Sequence, residues 1–184
     1  MYKRQTASPA LAHERREVGP YVFVAGFLTE PAFAGAVNGV DLRVSDPRTS
    51  PATPVEGLQE TLRVEVFHAG LTTPLRLSFR ARFGQPGAYA ADFVPTRAGG
   101  YTFRITGTIG DLNVDERFES GPGRFNDVES QAALQYPDRV PAGAELSESL
   151  AEIRSVSEQT RLVALGALLL GAVALALAIR RRRA

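Results

Sequence analysis

Apolar and polar positions alternate with a period of two along much of the first two thirds of the chain. In Leu62-Arg63-Val64-Glu65-Val66 the odd members of the run belong on a buried face and Arg63 and Glu65 on a solvent face, because successive strand side chains point to opposite sides. Leu75, Leu77 and Phe79 repeat this, as do Tyr101, Phe103 and Ile105. Bounded by Gly, Pro and Asn, the alternation predicts seven strands, over residues 21–27, 40–44, 62–67, 75–83, 88–94, 101–109 and 112–118. No helix-length apolar stripe interrupts them, which argues against an α/β fold. The expected class is therefore all-β, an immunoglobulin-like antiparallel two-sheet sandwich over residues 13–120. Gly110-Asp111 reads as a tight hairpin turn of the Gly-first kind. Residues 31–38 and 45–57, the latter with Pro47, Pro51 and Pro54, read as loops, and Ala98-Gly99-Gly100 as a turn. Periodicity is lost over 121–143, an irregular linker or wrapped tail.

The pattern then changes. Over 144–161 the composition is helical, with Leu146, Leu150, Ile153 and Val156 on one face and Glu145, Glu148, Glu152 and Glu158 mostly elsewhere. This predicts a helical stalk, either a solvated spacer or a short parallel coiled coil supporting a weak homo-oligomer, although Ser157 interrupts the apolar repeat. From Leu162 to Ile179 there are eighteen residues without a polar side chain. As a helix they would extend ~27 Å, enough for the hydrocarbon core of a bilayer. Arg161 flanks one end of the run and Arg180, Arg181, Arg182 and Arg183 the other. The excess of positive charge assigns residues 180–184 to the cytoplasm and the N-terminal domain to the outside, periplasmic or extracellular, in a single-pass cell-membrane protein. Ala10-Leu11-Ala12 has the form of a signal-peptidase site, so residues 1–12 read as the remnant of an export segment and His13 as the first mature residue. MYKRQTASP lacks the hydrophobic region such a segment needs, so this reading requires residues upstream of Met1.

Composition narrows the function. Between His13 and Thr160 there are 14 Arg against 20 Asp and Glu, a net of −6, and such a body repels nucleic acid. The absence of Cys excludes disulfides, thiolate metal sites and Cys nucleophiles. With only His13 and His68, and no G-x-S-x-G, G-x-G-x-x-G or phosphate-loop motif, catalysis is not expected. Asp115 and Glu116 are adjacent in a predicted strand, so their carboxylates face opposite sides and cannot work as an acid–base pair. What remains is a binding or structural module, with a protein partner or a metal as its ligand.

The candidate metal is copper(II). A free N-terminal histidine offers an amine and a ring nitrogen, ligands that suit copper. His13 would be that residue and His68 a third nitrogen, with Asp111, Glu14, Asp115 or Glu116 as the carboxylate. His13 after the small-x-small site, and the passage PTRAGGYTFRITGTIGDLNVDERF within a small sandwich, resemble the copper-resistance CopC and YtkA-like group. The resemblance implies an exported immunoglobulin-like sandwich, in some members with a C-terminal membrane helix, acting as a copper(II)-binding accessory protein through His13. Where such sequences carry Asp-Gly-His in the last hairpin, this chain has Asp111-Leu112-Asn113, so Asp111 corresponds and the His is absent.

Overall fold

The computed structural model describes residues 13–141, 143, 145–157 and 161. The proposed export remnant over 1–12, the apolar run from Leu162 to Ile179 and the tail Arg180 to Arg183 lie outside the described residues. The chain divides into two units, Met1–Leu134 and Gln135–Ala184.

In the first unit ten strands form two antiparallel sheets. The first sheet has the order β1 (His13–Val18), β2 (Tyr21–Phe27), β3 (Asn38–Asp46), β8 (Ala88–Phe93), β7 (Arg80–Ala81), with the two-residue β4 (Thr53–Pro54) also paired to β3. The second has the order β10 (Leu112–Glu119), β9 (Tyr101–Ile109), β5 (Leu62–His68), β6 (Leu75–Ser78). A single helical turn, α1 (Leu58–Thr61), precedes β5. In four strands the inner faces are those the alternation picks out: Phe23, Ala25 and Phe27 from β2, Val40, Leu42 and Val44 from β3, Leu62, Val64 and Val66 from β5, and Tyr101, Phe103 and Ile105 from β9 are all buried, whereas Leu75 of β6, expected on the same face, is 48% exposed. The β9–β10 hairpin closes through Gly110-Asp111, with Ile109 paired to Leu112 and Gly110 at φ 58°, a left-handed backbone that glycine adopts without steric cost.

Three expectations are corrected. Residues 75–83 are not one strand. β6 pairs with β5 in the second sheet and β7 with β8 in the first, and the chain crosses between them at Phe79, whose ring is buried against Tyr89. Phe83 falls beyond the crossing and is wholly exposed.

Residues 13–18, outside the seven expected strands, are not irregular. They form β1, an edge strand joined to β2 by the two-residue turn Gly19-Pro20. Its sequence, HERREV, has no apolar alternation, so only the turn dipeptide signals it.

The sandwich does not end at residue 120. Phe125 is fully buried, stacked on Phe103 at 4.9 Å and edge-on to Phe27 at 5.6 Å. Val128 exchanges two backbone hydrogen bonds with Gly99, and Glu129 donates to Ala32. The part of the supposed linker up to Leu134, where a 3₁₀ turn over Gln131–Leu134 closes it, is thus an integral flap over one end of the sandwich.

In the second unit residues 145–157 are helical, as the pattern there predicts, and form α2. Leu146, Leu150 and Ile153 are 53%, 52% and 64% exposed. Among the described residues no helix is long and apolar enough to cross a membrane.

Candidate functional site

The three residues singled out as copper ligands occupy different places. His13 begins β1 in the first sheet, and its Nε2 donates to the Asp41 carboxylate at 3.1 Å. His68 ends β5 in the second sheet. Its Nε2 donates to the Ala98 carbonyl at 3.1 Å, its ring stands edge-on to Tyr101, and its buried Nδ1 has no hydrogen-bond partner. Asp111 sits in the hairpin turn at the far end of β9. Because His68 pairs with Tyr101 at the start of that strand, eight residue steps, about 26 Å, separate His68 from the end at which Asp111 lies. The other carboxylate candidates are held by arginines: Glu14 and Glu116 by Arg16, and Asp115 by Arg104 at 2.7 Å. The structure therefore does not bring His13, His68 and Asp111 together. Among the described residues no group of three or more His, Asp or Glu side chains is arranged to hold a metal ion.

What the fold gathers around His13 is a different cluster. Strand pairing sets His13, Gly26, Asp41, Ala90 and Arg80 in one row across the outer face of the first sheet. Paired residues share a face, so the His13 ring must pass over β2, spanning two strand spacings or ~10 Å, to meet Asp41. Gly26 has no side chain to obstruct it. Asp41 is 1% exposed and accepts from Arg82 at 2.9 Å and Arg43 at 3.3 Å as well as from His13. Burial pushes its pKa up, but the His13 hydrogen bond and the two guanidinium charges outweigh it and leave the carboxyl below its ordinary value. Glu30 moves the other way: burial raises its pKa, opposed by the His13 charge, a Phe27 backbone hydrogen bond and Asn126. Its Oε1 is buried without a partner. With Asp41 engaged by His13, Arg43 and Arg82, the cluster is a polar clasp that fastens β1 to the sheet.

A feature open to a ligand lies elsewhere, and sequence reasoning missed it. A groove of 210 Å³ is lined by Glu56, Gly57, Gln59, Arg82, Pro86 and Tyr89, together with the other residues of the β7–β8 turn except Phe83. Tyr89 shapes its wall by donating to the Val55 carbonyl at 2.6 Å and accepting from the Leu58 amide at 3.3 Å. Gln59 is also part of the lining, and its Oε1 is buried without a hydrogen-bond partner. Phe83 lies between two lining residues, Arg82 and Gly84, and its whole ring is in solvent. The groove opens at the start of β8, whereas the flap packs at the end where Phe93 meets Tyr101. Its lining contains no His, Cys, Ser, Thr or Lys. The signal for this site was a lone Phe followed by Gly-Gln-Pro-Gly, which reads equally as the end of a strand.

No known family model matches the chain, and no curated protein shows significant similarity to it.

Proposed function

We propose that the chain is a membrane-anchored, extracytoplasmic binding module of immunoglobulin-like type, without catalytic activity, held on a helical stalk. The strand order supports the finer fold reading: β2-β3-β8-β7 against β10-β9-β5 has the neighbours of the ABED and GFC sheets of that architecture, with β1 as an added edge strand. The helix over 145–157, followed in sequence by eighteen apolar residues and four arginines, supports the stalk and anchor.

The observation that carries the binding reading is Phe83. An entire aromatic ring in water, next to a groove, is the composition of an interface anchor, since aromatic residues dominate the energetics of protein contacts. The partner class is a protein surface offering an apolar pocket to Phe83.

Two measurements test this. Protease added to intact cells or spheroplasts is expected to remove the sandwich while the Arg180–Arg183 tail stays protected; the opposite pattern reverses the topology. A photo-crosslinker at position 83 is expected to give a discrete adduct on cells that one at Asn113, on the exposed face of β10, does not. Equal labelling from both positions would remove the groove from consideration.

A further inference from the structure

Helix α2 leaves Leu146, Leu150 and Ile153 more than half exposed, at intervals of four and three residues. This is the d-a-d spacing of a coiled-coil seam. The helix's glutamates take the positions away from that seam: counted in the same register, Glu145 and Glu152 fall at c, Glu148 at f and Glu158 at b. The same count, continued along the sequence, reaches Ser157, Thr160, Ala164, Ala167, Gly171, Ala174 and Ala178. All seven are small, whereas the fifteen intervening residues from 158 to 177 include only three small ones, Gly166, Ala172 and Ala176. The repeat therefore changes chemistry along the sequence without changing its spacing. In sequence, large aliphatic residues occupy these positions up to Ile153, and small residues occupy them from Ser157 onward.

That change is what one helix pair crossing from water into lipid requires. In water, burial of Leu and Ile drives association. In lipid that drive is gone, and small residues allow the close backbone approach that packing needs. We propose that this chain forms a parallel, in-register homodimer along one seam from Leu146 to Ala178. The proposal rests on the reading that Leu162 to Ile179 spans the membrane. A second copy is the occupant the pattern selects, because a parallel and unshifted identical helix sets the aliphatic part on the aliphatic part and the small part on the small part. An antiparallel copy would set one against the other, and anchoring in the same membrane orientation already forbids it. Ser157 does not break the repeat but marks its transition.

The chain has no Cys, so single cysteines report without background. In the full-length protein in its membrane, Leu146→Cys, Leu150→Cys and Ile153→Cys are expected to give disulfide-linked dimers on mild oxidation, at least fivefold more than Glu148→Cys or Ser155→Cys. Gly171→Leu or Ala167→Leu is expected to cut crosslinking of Leu150→Cys severalfold, and Gly166→Leu, off the seam, to leave it unchanged. Retention of the chain in carbonate-washed membranes with crosslinking equal at all five positions, or with adducts to a different protein, overturns the dimer alone. Release of the chain by the carbonate wash overturns the anchor reading, and with it the continuous seam.

Discussion

Arg16 of β1 and Glu116 of β10 belong to different sheets, and their side chains meet at 3.0 Å across the open edge of the sandwich. The Arg16 guanidinium also pairs with Glu14 and lies 4.6 Å above the Phe118 ring, whose far side belongs to the core. One cation thus joins two sheets that share no backbone hydrogen bond along this edge. At the opposite edge the chain itself crosses between the sheets at Phe79, so no such latch is needed there.

Arg16→Ala is expected to destabilise the protein by about 1–2 kcal/mol, from the lost ion pair and the lost cation–π contact together. Glu116→Gln should cost less, about 0.5 kcal/mol, since Arg16 keeps Glu14. A double-mutant cycle by urea unfolding on a fragment ending at Leu134 measures the coupling. A coupling of zero would mean that the two residues are merely neighbours.

Asp41 and Glu30 predict opposite pH dependences. Asp41 is depressed in the folded state, so it contributes stability above its unfolded pKa, and that contribution is lost as pH falls through the folded value. Glu30 is raised in the folded state, so its ionised form costs stability at neutral pH, and the cost disappears as the carboxyl protonates. Asp41→Asn is expected to lower the melting temperature at pH 7 and to matter progressively less in acid. Glu30→Gln is expected to raise the melting temperature at pH 7, with the gain vanishing below the carboxylate range. Thermal unfolding followed between pH 7 and pH 3 separates the two, and a stabilising Asp41→Asn would show that the clasp is dispensable.

Phe125→Ala should cost about 3–5 kcal/mol, the range for deleting a buried aromatic ring. Truncation after Ser120 should do more, exposing Phe27 and Phe103 together. By contrast, a chain ending at Leu134 is expected to unfold cooperatively and to show no dye binding typical of exposed apolar surface. Equal stability of the two truncations would return residues 121–134 to the status of a linker.

Six of the seven expected strands were legible because each carries its own burial pattern: Tyr101, Phe103 and Ile105 report an inner face without reference to any other strand. The Gly110-Asp111 hairpin was legible because its turn chemistry is equally local. The copper reading depended on distances the sequence does not contain. His13 and Asp41 are 28 residues apart and neither is part of a motif; only the registers β1–β2 and β2–β3 set them in one row. His68 and Asp111 are likewise far apart in sequence, and β9 sets them at its opposite ends.

The two-sheet architecture, the helix over 145–157 and the order of its apolar positions follow from local pattern alone, because strand and helix periodicities are properties of consecutive side chains. Tertiary structure decided the rest. β1 is a strand although four of its six residues are charged, since its backbone completes the edge of β2 and its inward Arg16 finds Glu116. Residues 75–83 divide between two sheets because alternation looks the same on either side of Phe79, and only the core into which that ring inserts distinguishes them. Phe125 is a single apolar residue without a period, and its role appears only where Phe27 and Phe103 leave a space for its ring. Partners distant in sequence are chosen by strand register and by the volume of the core, and neither is a property of any one segment.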